Sequence, residues 1–377
     1  MAQAVDKFFS GLGNAIEGVV LDGAMFLAEL RLTIGDEGAT KITLDVRGSG
    51  AVLPCSICTN VTMFESELDQ FDDDIVTIAE FDPCKHKWHT DRSFRQAVEY
   101  VNTEYPTLNT IADATMLQKC MGINFCPRGM VATLPYFRPI SSQMFDWAHI
   151  WVVHGIFQKE VGHMLTMKLF TIDEAHDYLQ KFSWPRKNAV NGQDVFAKRS
   201  DKATSLQCDA SQCLGLYPVL LTFLSLMSGQ NPTMDKVILC FSLLCQSLDL
   251  LRLATMGFPV DCRKMLSVII RHLRLHKELY EHVIPKMHMA VHLPFMCRSF
   301  GGLISCMVHE RKHRLVKRIA NDMKNTTGRN TTFAYFVCLC VLKLLVRKII
   351  VNLLLQTCFN AHCAYNPSFW ARNTSSN

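Results

Sequence analysis

Charge is scarce in this chain. Asp, Glu, Lys and Arg supply 19% of its 377 residues against 49% hydrophobic. That balance excludes a disordered chain, which has too little apolar surface to build a core. Proline and glycine, at 13 and 19 residues, are no more than ordinary, so neither a collagen-like repeat nor a long low-complexity linker is expected. The opening MAQAVDKFFSGLG lacks a basic start followed by a continuous apolar block, so no secretory signal is expected. The working compartment is then nuclear or otherwise intracellular. Asn-x-Ser/Thr triplets at Asn60, Asn325, Asn330 and Asn373 read as chance matches. GLGNAIEG at 11–18 is not a phosphate loop, because no strand precedes it and no Walker lysine follows.

Cysteine, by contrast, is plentiful at 16 residues. Several lie inside apolar runs (Cys240, Cys245, Cys338, Cys340), which suits buried thiols or metal ligands better than a disulfide framework. Positive charge is concentrated. Between His309 and Arg329 seven Lys and Arg face only Glu310 and Asp322, a net of +5 that equals the charge of the whole chain. A patch of that kind is a footprint for a polyanion, nucleic acid above all, and a solvated helix face is the plainer alternative.

Two uncharged stretches raise the question of a membrane. Phe333 to Leu342 is too short to span one. Ala210 to Met234 is long enough, but Asn231-Pro232 breaks it as a turn would, predicting two buried helices over about 213–228 and 235–256. Upstream, LDGAMFLAEL reads as helix and RLTIG as a short strand ending at Asp36. Long amphipathic helices are expected from Phe145 to about Phe182, a polar exposed connection over Trp184 to Ser205, and helices again from 213 to 282. The fold class is therefore mixed α/β, interrupted by a large helical part.

Five constellations could carry chemistry. Asp36 stands at the end of a predicted strand, where a carboxylate can serve a metal or simply cap a helix. Cys55-Ser-Ile-Cys58 is a knuckle able to give two thiolates to zinc. Its nearest partners in sequence are Cys84, His86 and His89. Asp146 and His149 sit at i, i+3, on one helical face. His288 and His292, at i, i+4, can chelate a metal or stack on a packed face. Finally, Glu310 opens the basic helix that carries Arg311, Lys312, Arg314, Lys317 and Arg318.

Taken in order, GDEGATK, GSGAVLPCSICTNV, FDWAHIWVVHG, PKMHMAVHLP and HERKHRLVKRIANDMKN resemble the transposases of CACTA-type (En/Spm-like) DNA transposons. The resemblance runs over roughly residues 18–330. It implies a ribonuclease-H-like core with an Asp-Asp-Glu triad, interrupted by a helical insertion before the Glu, in an N-terminally truncated copy. On this resemblance Asp36, Asp146 and Glu310 hold Mg²⁺ or Mn²⁺ for two-metal phosphoryl transfer, with His149 beside them. In a second register Asp36 is the middle carboxylate and Asp146 is auxiliary. Cys55 and Cys58 could hold Zn²⁺, DNA is the partner, and a homo-oligomer is compatible with it.

The expected layout is a partial core with the knuckle over 1–150, a helical insertion over 151–280, a basic Glu-bearing segment over 281–330 and an apolar tail over 331–377. Three readings stay open: a transposase-derived nuclease and strand transferase, a non-catalytic DNA-binding remnant, or a membrane-associated helical protein. One test separates the first two from the third. Replacing Arg311, Lys312 and Arg314 by Ala should weaken DNA binding and reduce its salt slope by about one unit per lost phosphate contact. An unchanged slope would contradict the phosphate contacts.

Overall fold

The computed structural model describes residues 19–21, 24–26, 31–64, 74–184, 194–196, 206, 208–229 and 232–307. The chain divides into two units, Met1–Cys306 and Met307–Asn377, and the account below concerns the first. Glu310, the basic residues after it and the apolar tail lie outside the described residues.

The described part is mixed and mostly helical. Strands β1 (Val19–Leu21) and β2 (Ala24–Phe26) pair antiparallel, with Leu21 opposite Ala24. This corrects the helical expectation for LDGAMFLAEL. The apolar run is compatible with either state, and the Asp22-Gly23 pair is a strong two-residue hairpin signal. Strand β3 (Thr33–Gly35) falls where RLTIG predicts it and pairs in parallel with a strand more than a hundred residues later, Gln143–Phe145. Val61–Thr62 and Val76–Thr77 form a third pair. Among the described residues no sheet exceeds two strands, so the wider sheet of a ribonuclease-H-like core is not among them.

Helix α1 (Glu37–Leu44) starts at once after β3, because the Asp36 carboxylate accepts a hydrogen bond from the Ala39 amide at 2.6 Å and satisfies an otherwise orphan donor. Gly35 is needed there: a Cβ would lie 2.7 Å from that of Ala39. Helix α2 (Asp91–Glu104) is opened by a capping box between Thr90 and Ser93. Its Phe94, Val98 and Val101 form one buried stripe against Leu44, Val46, Ile123, Met130, Val131 and Phe137. Helices α3 (Ile111–Met121) and α4 (Met130–Thr133) complete this layer.

Beyond the Gln143–Phe145 strand the described residues are mostly helical: α5 (Trp147–Trp151), α6 (Ile156–Thr166), α7 (Ile172–Lys181), α8 (Ala210–Ser225), α9 (Pro232–Thr255), α10 (Cys262–Tyr280) and α11 (Pro285–Phe300). The expected pair of helices is present as α8 and α9, each starting about three residues earlier than the pattern suggests. For α8 the reason is a capping box between Asp209 and Gln212. Among the described residues α9 is the one helix long and apolar enough to cross a membrane. Just over half of its apolar window, 56%, is buried within the molecule. Val237, Phe241, Leu244, Leu248 and Leu251 are buried there, alongside Leu220, Leu224, Ile269 and Leu273 of its neighbours.

One buried carboxylate opposes this packing. Asp45 ends α1 in the left-handed region at φ 58°. Burial pushes its carboxyl up to about 6, and a hydrogen bond with Cys126 offsets only part of that rise. A folded value above the ordinary 3.8 means that its contribution is best below pH 3.8 and is lost as pH rises to about 6. Asn tolerates the same backbone. Asp45→Asn should therefore raise the urea midpoint at pH 7 and leave it nearly unchanged at pH 3.5. Equal midpoints at pH 7 would contradict the assignment.

Candidate metal centre and carboxylate cleft

Parallel pairing of β3 with Gln143–Phe145 brings two sequence-distant carboxylates to one place. Gly35 is opposite Phe145, so Asp36 and Asp146 follow at the same carboxyl ends of adjacent strands. Both line one cleft with Glu37, His149 and Lys286. Asp146 is buried and caps α5: Oδ1 accepts from the Ala148 amide at 3.1 Å. Its Oδ2 lies 2.5 Å from His149 Nδ1 and accepts from the Cys306 amide at 3.2 Å. The i, i+3 spacing thus yields a carboxylate–imidazole pair, with Asp146 orienting the ring.

Glu37 is held by Lys41 at 2.7 Å and by the Ser49 hydroxyl at 2.6 Å. Burial would raise its carboxyl, but these donors outweigh it and bring it down to about 2. Lys286 donates to the carbonyls of Val153 and His154, each at 3.0 Å. Burial lowers its ammonium below the ordinary lysine range, and the charges of Glu37 and Asp36 counteract this in part. The cleft is therefore lined by three carboxylates, Asp36, Glu37 and Asp146, with an imidazole and the cations of Lys41 and Lys286 at its wall.

Behind this cleft lies a second constellation. Cys55 and Cys58, on the loop after Pro54, meet His288 and His292 of α11, and all four side chains are buried. His292 Nε2 is 3.6 Å from Cys55 Sγ, 3.4 Å from Cys58 Sγ and 3.2 Å from His288 Nε2. A zinc tetrahedron with bonds of about 2.3 Å to sulfur and about 2.0–2.1 Å to nitrogen has edges of roughly 3.3–3.8 Å. The donor set and its spacing therefore fit a metal such as zinc.

The electrostatics of the four groups are strongly coupled. Burial would raise the Cys55 thiol, but a hydrogen bond from Cys58 and the charges of His292 and His288 outweigh it and hold it well below the thiol range. The hydrogen bond to Cys55, then burial, pushes Cys58 well above that range. Burial also lowers His292. A divalent ion bound there would deprotonate both thiols.

The surroundings are built to hold this set in place. Ser56 donates to Gln143 Oε1 at 3.0 Å, tying the knuckle to the strand that ends at Asp146. The ring of His292 is boxed by Trp88 and Phe145, with centroids at 5.4 and 5.9 Å. The outer nitrogens, Nδ1 of His288 and His292, make no hydrogen bond, so ring contacts hold them: Trp88 and Phe145 for His292, and His86 for His288.

The sequence-predicted partners of the knuckle are corrected here. Cys84 is exposed. His86 directs Nε2 to the Glu80 carbonyl at 3.0 Å and stacks edge-on against His288, acting as packing rather than ligand. His89 pairs with Ser93 Oγ at 3.1 Å. Proximity along the chain misdirected the choice, whereas each half-site, the C-x-x-C and the i, i+4 histidines, was visible by itself. Lys286 and Glu37 were missed, since neither belongs to a spaced motif. Among the described residues Asp36 and Asp146 do not join a group of three ligand atoms near enough for one ion. Glu310, expected as the third carboxylate for Mg²⁺, lies outside the described residues with Arg311, Lys312, Arg314, Lys317 and Arg318.

No protein-family model, curated protein or solved structure matches the chain.

Removing metal with a strong chelator should lower the thermal midpoint of the purified chain, and zinc should restore it. In Cys58→Ser the midpoint should be low from the start and insensitive to both treatments. A parent chain indifferent to chelator would contradict the metal centre.

Proposed function

We propose that this chain derives from a cut-and-paste DNA transposase, and that its cleft is the remains, or the working form, of a phosphoryl-transfer site. The observation that carries this reading is the placement of Asp36 and Asp146 side by side at the carboxyl ends of two parallel strands, inside one cleft. Mg²⁺ is commonly held by one or two protein carboxylates, with substrate phosphates and water filling the rest of its octahedron. Two aspartates can therefore suffice to recruit it once DNA supplies oxygens.

On this reading Asp36 and Asp146 would hold Mg²⁺ or Mn²⁺, which would supply an activated oxygen nucleophile and charge neutralisation at the scissile phosphate, and the transposase resemblance calls for Glu310 as the third carboxylate. The register in which Asp36 and Asp146 are the two strand-borne ligands is the one the parallel pairing favours. His149 is a positioning residue for the Asp146 carboxylate. Arg311, Lys312, Arg314, Lys317 and Arg318 neutralise DNA phosphates without reading sequence. The Cys2His2 centre is structural, because all four protein positions are filled and no coordination site is left open. A ribonuclease-H-like core, a nuclear or other intracellular location and a homo-oligomer go with this proposal.

A second reading has its own support. Asp36 Oδ1 and both Asp146 oxygens already accept bonds from the protein. Carboxylates committed in this way suit a DNA-binding remnant whose acidic residues serve as caps.

The deciding assay is nicking of supercoiled plasmid with Mg²⁺ or Mn²⁺ by the parent, Asp146→Asn and Glu310→Gln. Even an outer-shell partner of a metal ligand is worth about 10–100-fold, so each variant should lose at least about 100-fold. Nicking that survives both substitutions would sink the catalytic assignment. DNA retained without cleavage by the parent would favour the remnant.

A further inference from the structure

The helical part contains a second knot of polar side chains that the cleft and the Cys2His2 centre do not use. Glu160 of α6, Cys240 of α9 and His272 of α10 each have 0% exposure, and their ligand atoms all lie within 4.8 Å of one another. Their neighbours along the same helices, Phe157, Val161, Phe241, Leu244, Ile269 and Leu273, are all buried and apolar, and the Trp151 ring lies 5.5 Å from that of His272. A carboxylate placed there loses its hydration, and a single imidazole repays that loss poorly.

The pairing that exists is incomplete. His272 Nε2 is 2.7 Å from Glu160 Oε2. Glu160 Oε1 and His272 Nδ1 have no partner at hydrogen-bond geometry, nor has either ring nitrogen of His276, one turn further along α10, although the Cys240 thiol interacts with the Glu160 carboxylate and the His282 backbone with His276. His276 is fully buried, with its ring centroid 5.9 Å from that of His272. Buried polar groups nearly always find partners, so this many orphans at one point mark the place of something not yet counted.

We infer that Glu160, Cys240 and His272 form a second zinc site, with His276 as the side chain available to the fourth position. Oxygen, sulfur and imidazole nitrogen are a donor set typical of zinc. The ion would neutralise Glu160, deprotonate Cys240 and tie α6, α9 and α10 together at the middle of the helical core. His272 and His276 repeat the i, i+4 spacing of His288 and His292. Only the first pair has a carboxylate and a thiol facing it from separate helices. This site stands or falls independently of the knuckle.

The test uses the intact chain, saturated with zinc, washed with a mild chelator and then assayed for zinc per chain and for zinc K-edge fine structure. Two sites predict about two zinc ions per chain and a mean of about 1.5 sulfur neighbours, since the knuckle gives two and the new site one. One zinc with a single sulfur would uphold this site and remove the knuckle. One zinc with two sulfurs would overturn it, as would no zinc at all. In Cys240→Ala one equivalent should be lost while Cys55 and Cys58 keep theirs; a folded Cys240→Ala chain that retained both would also overturn it. The spectrum of the unmutated chain decides the question even where that variant fails to fold.

Discussion

Four soft ligands from two segments 234 residues apart converge on one point, and much else in the described structure depends on that convergence. Without a cation, two thiols and two imidazoles are buried among aromatic rings with only one another for company. With one, the same groups become a cross-link. By the chain-entropy relation used for disulfides, closing a loop of this length removes about 5 kcal/mol of freedom from the unfolded chain. That is comparable to the whole net stability of many domains. Such a cross-link would also set geometry. Ser56 between the two cysteines is bonded to Gln143, and Gln143 opens the strand whose end bears Asp146. His288 and His292 lie on the helix that also brings Lys286 to the cleft.

The cleft itself is an exercise in competing electrostatics. Glu37 is over-supplied with donors and stays charged, while Asp45, at the other end of the same helix, is under-supplied and is pushed up to about 6. Lys286 is partly stripped of water, with Glu37 and Asp36 favouring its charge. Asp146 is fixed by two amides and His149, so its position is set before any ligand arrives. Preorganisation of this kind suits a metal-binding carboxylate, and it equally suits a cap.

What could be read from residues alone was local. RLTIG announced its strand, Asp36 its cap, and Asn231-Pro232 the break between two buried helices. The hairpin at 19–26 was misread because a short apolar run fits helix and strand alike. The knuckle and the histidine pair were each legible, but their union was not, since no pattern within either segment encodes a contact across 234 residues. Glu160 and His272 are a clearer case of the same limit. On paper they are one acidic residue in an apolar helix and one histidine in a basic one. Only packing sets them 2.7 Å apart.

Amide hydrogen exchange on the chain with and without bound zinc tests most directly whether the Cys2His2 cross-link governs the cleft. The account predicts that stripping the metal accelerates exchange at Thr33–Gly35 and Gln143–Phe145, far more than in α2, whose stripe packs on its own core. Protection of those two strands that is unchanged by metal removal would contradict it.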